Sequence, residues 1–272
     1  MAIAIATHNN AIPRASFGWQ FWLLTGRFLK TVLRNPGAAL PSLLISIFTL
    51  LIYQESFGTA ATFIPGLAGN NYTAFVLPLS LLSVALTSAV TAGAVIVSDI
   101  STGYFDKLLL TPVSRTALLL SVMFVGSVLI AAELALIMLL GVLLGVNPPT
   151  GLLGALAVIG IAVLVGNALA GLGVGIALLT GSPAATQSTS LLFFPLTQLT
   201  AAFTPLELLG DTLRAIAQVN PATYVLKAMR TILLEGWGDT TSIMTGVLVA
   251  LVLCAVTFMF ALVSLRIRTG RK

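Results

Sequence analysis

Glu133 is the residue least at home in its surroundings. It stands in Ala131-Ala-Glu-Leu-Ala135, midway along the apolar run from Thr116 to Val146. A carboxylate at the centre of a bilayer costs about 2.5–3.5 kcal/mol on insertion scales, so Glu133 must face protein, face a water-filled cavity, or take up a proton. Two roles suit it: a substrate-contacting or gating group, or a carboxyl hydrogen-bonded across a helix bundle to a polar residue such as Asn167 or Gln198. Glu133, Asn167 and Gln198 are therefore the candidates for a substrate path or gate.

Two further stretches concentrate polar chemistry. The segment from Asp99 to Arg115 sets Asp99, Asp106 and Lys107 among Tyr104, Phe105 and Leu108, after Gly103, and halts at Pro112. A short amphipathic helix of this kind suits insertion into a groove on a partner protein; the competing reading is an interfacial helix with no partner. The segment from Pro205 to Gly238 holds two apolar stretches, Leu206 to Val219 and Pro221 to Leu234, each too short to span. Asn220 is a good helix N-cap and Pro221 a good first helical residue. The pair reads as a hairpin of half-helices dipping into the outer leaflet, or as two surface helices capping a bundle.

Several classes of chemistry lack their residues. No G-x-x-x-x-G-K-[ST] occurs, so the sequence carries no P-loop for ATP. One histidine (His8) and one cysteine (Cys254) cannot build a metal cluster or an internal disulfide. With no paired carboxylates either, no catalytic constellation is expected.

The elements that must position these residues follow from composition. Of 272 residues, 58% are hydrophobic and 8% charged, with a mean hydropathy of +1.07. Soluble proteins carry about 25% charged residues, so lipid must solvate most of this surface. Six segments approach the roughly 20 apolar residues that cross a bilayer: about 38–57, 73–97, 116–146, 152–179, 185–203 and 242–265. The fifth is weakened by Gln187, Ser188, Ser190, Pro195 and Gln198. Gly141-x-x-x-Gly145 and Gly171-x-x-x-Gly175 read as close helix packing. The expected fold is an all-α membrane protein of six spans, with residues 1–36 forming a tail and an interfacial helix and residues 37–272 the transmembrane domain. Along Phe17 to Arg34, a stripe of Phe17, Phe21, Leu24, Phe28 and Val32 opposes Gln20, Arg27, Lys30, Thr31 and Arg34, and the helix stops at Asn35-Pro36.

Charge sets the expected orientation. If the N-terminus is cytoplasmic, ten Lys and Arg lie inside and only Arg214, Lys227 and Arg230 outside, placing both termini in the cytoplasm. No cleavable signal peptide is expected. The net charge of +5 then marks membrane topology, not nucleic-acid binding.

At the Asp99–Arg115 loop the sequence resembles the ABC-2 type permeases, especially the daunorubicin-resistance-like drug exporters. The matching residues are Asp99, Gly103, Asp106, Lys107, Pro112, Ser114 and Arg115. A second match is Phe203-Thr-Pro-Leu-Glu-Leu-Leu209 with Leu213-Arg214, followed by Asn220-Pro-Ala-Thr-Tyr224 and Arg230. The resemblance implies a permease, homodimeric or paired with a sister permease, bound to two copies of an ATPase subunit that hold ATP and Mg; this chain itself would hold no cofactor. It implies that Asp99, Gly103, Tyr104, Phe105, Asp106, Lys107 and Leu108 belong to the coupling helix docking in the ATPase. Pro205, Asn220, Pro221, Tyr224 and Arg230 would mark re-entrant outer helices. Residues 17–34 would be a connecting helix, and the cargo amphipathic drugs, lipids or glycoconjugates leaving a bacterial cell across its inner membrane, as in multidrug efflux and antibiotic resistance. Two readings compete with this one: an ATP-independent transporter or channel driven through Glu133, and a membrane scaffold without transport.

Overall fold

The structure, a computed structural model, describes residues 16–34, 37, 40–58, 72–111, 113–188, 199–200 and 209–270. Among these the chain is helical, with no strand. In chain order the helices are α1 (Phe17–Leu33), α2 (Leu40–Phe57), α3 (Tyr72–Ser101), α4 (Tyr104–Leu109), α5 (Arg115–Leu143), α6 (Gly151–Thr180), α7 (183–188), α8 (Asp211–Val219), α9 (Pro221–Arg230) and α10 (Thr240–Gly270).

Four of these, α3, α5, α6 and α10, are long and apolar enough to cross a membrane. At 1.5 Å per residue each extends about 43–47 Å, more than the hydrocarbon thickness of about 30 Å, so their ends project beyond it. They correspond to four of the six expected segments. α2 matches another and is apolar, but at 18 residues it is slightly short of a full crossing. The expected span at 185–203 lies mostly outside the described residues.

α6 is apolar on every side and rich in Gly and Ala, as suits the central member of a bundle. It packs most extensively against α3 and α10; α5 joins α3 and α6, α2 leans on α3, and α1 lies against α5. The small residues explain the α6–α10 approach. A side chain at Gly171 would come within 3.2 Å of the Thr257 backbone, and one at Gly175 would collide with the Phe260 ring. Away from these contacts α10 shows lipid-type surface, with Met244, Leu248, Val252, Val256 and Met259 exposed.

Two large apolar cores result, beside a small cluster of Tyr72, Phe75 and Val76. One gathers the first half of α3, the second half of α5, the first half of α6, and α9 around Leu77, Leu81, Leu134, Ile137, Leu226 and Met229. The other sits at the end where Arg27, Lys107, Arg115 and Arg268 collect, hereafter the basic end. It joins α1, α4 and the matching halves of α3, α5, α6 and α10 around Phe28, Ile96, Phe105, Leu119 and Leu178.

α1 keeps its expected apolar stripe in part, with Leu24 and Phe28 buried and Val32 packed beside them, but adds polar residues to the buried side. Its buried strip is Gln20, Leu24, Thr25 and Phe28, while Phe17, Trp19, Trp22 and Leu23 are exposed. The helix therefore packs a mixed polar–apolar strip on the bundle and turns an aromatic face outward. The reason is specific: Gln20 and Arg27, assigned by pattern to a solvated face, have hydrogen-bonding partners on the bundle.

Candidate functional site

The sequence locally dictates the elbow at the basic end. α3 continues to Ser101, where hydroxyls of Ser101 and Thr102 bond back to the Ser98 carbonyl and close the last turn. Gly103 then takes φ +68°, a left-handed conformation nearly free for glycine and costly with a Cβ, and α4 starts at the next residue. Val113 and Ser114 lead into α5, whose N-terminus Ser114 caps by accepting from the Ala117 amide.

α1 ties this elbow together. The Arg27 guanidinium donates twice to Asp99, at 2.6 and 3.1 Å, in the two-pronged geometry that suits arginine and carboxylate. The same guanidinium lies 3.7 Å from the centre of the Tyr104 ring, in cation–π range. Two helical turns earlier, the Ser114 amide donates to Gln20 Oε1 at 2.7 Å. One helix thus holds the end of α3, the start of α4 and the start of α5. α10 closes the far side: Arg115 donates to Thr269 Oγ1 at 2.6 Å, and Arg268 donates to the Leu178 carbonyl in the last turn of α6 at 3.0 Å.

Within α4 the residues divide sharply. Phe105 is 1% exposed and sits in the basic-end core, so it supports the elbow from within. Asp106 and Lys107 are exposed, Tyr104 and Leu108 half-buried, and Leu110, just past the helix, is 87% exposed. The outward surface of the elbow is therefore Asp106, Lys107 and Leu110. Pro112 lies outside the described residues.

Of the polar groups expected to share a path, Glu133 and Asn167 bond to different partners. Glu133 accepts a hydrogen bond from Ser42 Oγ at 2.7 Å, which joins the first turn of α2 to α5. Asn167 instead receives one from Ser127 at 2.8 Å. Ser127 and Glu133 are six residues apart on α5, about 9 Å along the axis and on different faces. Gln198 lies outside the described residues.

At the opposite end, Asn220 caps α9 as its sequence suggests, with Oδ1 accepting from the Ala222 amide at 3.0 Å and Nδ2 donating to the Leu199 carbonyl at 3.1 Å. α8 lies largely exposed, whereas α9 buries Val225, Leu226, Met229 and Arg230 in the bundle. Arg230 donates to the Phe75 carbonyl at 2.9 Å, and its guanidinium lies 3.5 Å from the centre of the Phe75 ring. Tyr224 donates to the Gln218 carbonyl at 2.7 Å, tying α9 back to α8. A π-helical turn, Thr231–Glu235, follows and ends at Gly236. Pro205 falls outside the described residues.

A family model for the ABC-2 type transporter matches residues 19–234, from α1 through the π-turn, and so takes in the elbow, Glu133 and the α8–α9 pair. The chain belongs to the ABC-2 type transporter family. It is also similar to the proposed transport permease ycf38 of Cyanophora paradoxa, at 27% identity over 233 residues, covering 82% of this chain and 77% of that protein. Lipid-facing helices and this kinship make it an integral membrane transport permease.

Sequence reading alone missed Gln20, Ser42, Ser114 and Ser127 as partners. A signal existed for one connection. The chain has only eight acids, so an Asp99 ending a basic-end span calls for a base on a neighbouring element, and α1 carries two, Arg27 and Lys30.

Proposed function

We propose that this permease is the membrane half of an ATP-driven exporter, moving hydrophobic or amphipathic molecules out of the cytoplasm with energy from a separate ATPase. The observation that carries the proposal is the α3–α4–α5 elbow: rigidly braced by α1 and α10, it presents Asp106, Lys107 and Leu110 outward from the basic end. By the positive-inside bias that end is cytoplasmic, where an ATPase would reach it. A braced elbow transmits force, whereas a loose one would absorb it. Two ATPase subunits, each carrying ATP and Mg, would dock on two permeases, identical or paired with a sister chain.

Six spans with both termini cytoplasmic complete the proposed topology, α2 and the segment at 185–203 supplying the remaining two. α8 and α9 form the outer re-entrant pair, α9 being the inserted member. The Ser42–Glu133 bond supports a gating role for Glu133: it is a polar join between α5 and the first turn of α2, and breaking it would loosen that end of α2 while α2 stays packed on α3.

Transport into inverted vesicles with the co-purified ATPase tests this reading. ATP-dependent uptake, lost together with ATPase association in Lys107→Glu/Leu110→Asp, is the expected result. Uptake without ATP, abolished by Glu133→Gln, would replace the exporter reading with an ion- or proton-driven one. Stable association without any flux would point to a scaffold.

A further inference from the structure

A cleft of about 530 Å³ lies between the start of α1, α5, α6 and α10. Its volume falls within the range of small-molecule sites. Phe17, Phe21, Phe124 and Phe258 line it, and Phe21 and Phe124 already meet edge-to-face at 5.5 Å. None of the lining residues is charged. The cleft lies on a different face of α5 from the Ser42 contact, because Ser127 and Glu133 are about 120° apart around that helix.

Its polar content is one side-chain pair, Ser127 and Asn167, among apolar side chains and the thiol of Cys254. The Ser127 hydroxyl has a single proton, yet it lies within bonding distance of both the Met123 carbonyl and Asn167 Oδ1, each at 2.8 Å. Two arrangements satisfy this geometry. The hydroxyl donates to the Asn167 oxygen, leaving both amide N–H groups unused; or it donates to Met123 and accepts one amide N–H from a turned carboxamide, leaving the other. In both, at least one Asn167 N–H remains for the cleft. An unpaired donor at membrane depth is costly, and a ligand acceptor would recover that cost.

We infer that this cleft binds a neutral, ring-bearing amphiphile with a carbonyl-type acceptor, its rings among the phenylalanines and its oxygen on the Asn167 amide. Aromatic rings prefer the edge-to-face arrangements that the four phenylalanines offer. The absence of charge in the lining excludes an ionic headgroup, and a lining drawn from the apolar spans α5, α6 and α10 suits a molecule dissolved in the bilayer. The site deepens the permease reading by naming a substrate class for it, and it rests on that reading only for the step from binding to transport.

Benzophenone serves as the probe, being a neutral diaryl ketone that on irradiation attacks neighbouring C–H bonds. With the permease alone in phosphatidylcholine nanodiscs, adducts should map to Met123, Phe124 or Phe258. Diphenylmethane, with both rings but no ketone, should compete only at a membrane concentration about two- to tenfold higher than unlabelled benzophenone, the value of one hydrogen bond. Asn167→Leu should erase that difference, whereas Ser127→Ala, which leaves the amide in place, should keep it. Reaction of Cys254 with N-phenylmaleimide at the wild-type rate confirms that each variant retains the cleft. Adducts scattered over the lipid-facing surface, equal competition by the two compounds in the wild type, or a cleft kept closed to both probes by lipid chains would each overturn the inference. No ATPase is present, so failure here leaves the exporter reading intact, and absence of ATP-driven transport leaves the binding result intact.

Discussion

Removing the Arg27 guanidinium should unfasten α1 from the elbow, and the structure sets the size of the effect. Arg27 makes two charge-assisted hydrogen bonds to Asp99, whose side chain is 12% exposed, while its own is 29% exposed. A hydrogen bond to a charged group contributes about 1.5–3 kcal/mol when buried, and fully exposed ion pairs give about 0.2–1 kcal/mol. A partly wet, bidentate pair lies between these, so the coupling should be about 1–2 kcal/mol. That energy changes the ratio of docked to undocked α1 by about five- to thirtyfold. The assay is a double-mutant cycle of Arg27→Met and Asp99→Asn, read by reversible denaturation of the permease in mixed micelles. Arg27→Lys should recover less than half, because an ammonium keeps the charge but loses the fork and the flat face set over Tyr104. If the two substitutions are additive to within about 0.3–0.5 kcal/mol, the pair is not coupled and the bracing argument fails.

Four further outcomes follow from the same geometry. Gly103→Ala should destabilise the elbow by about 1 kcal/mol, since φ +68° is strained for any residue with a Cβ; a thermal melt in detergent reads this. Phe105→Asp should lower the yield of folded permease by placing a charge in the core, whereas Leu110→Asp should leave folding unchanged, as size-exclusion profiles of the two would show. Arg230→Met should cost about 2–4 kcal/mol, because the Phe75 carbonyl loses its donor and α9 its anchor; unfolding titrations compared with an exposed Arg266→Met control test this. Asp239 lies before α10 and accepts from the Ser242 amide at 3.0 Å, and bonding to Ser242 holds its carboxyl below the usual range. Its stabilising contribution is therefore present at neutral pH and is lost as pH falls below that of ordinary carboxylates. Hydrogen exchange of the first turn of α10 should quicken in acid, and Asp239→Asn should abolish that dependence.

The long spans were legible because lipid leaves no choice: α3, α5, α6 and α10 coincide with apolar runs that nothing soluble could carry. The Asn220 cap was legible too, since its chemistry lies within three residues. Faces of short helices were not. α4 has six residues, too few for periodicity to reveal that Phe105 points in and Lys107 out. Nor could a pattern show that Gln20 and Arg27 turn to the bundle, because their partners Ser114 and Asp99 are brought near only by the packing of α1 on α5. Glu133 required a partner, but Ser42 lies 91 residues away, and every hydroxyl or amide in another span was an equal contender.

On the proposed function, the braced elbow couples this permease to an ATPase. This coupling is tested most directly by ATPase co-purification and ATP-driven uptake in inverted vesicles, comparing the wild type, Lys107→Glu/Leu110→Asp and Arg27→Met. The double variant should release the ATPase, and Arg27→Met should keep the ATPase bound but lose most of the uptake. Undiminished association and uptake in both variants would contradict the coupling.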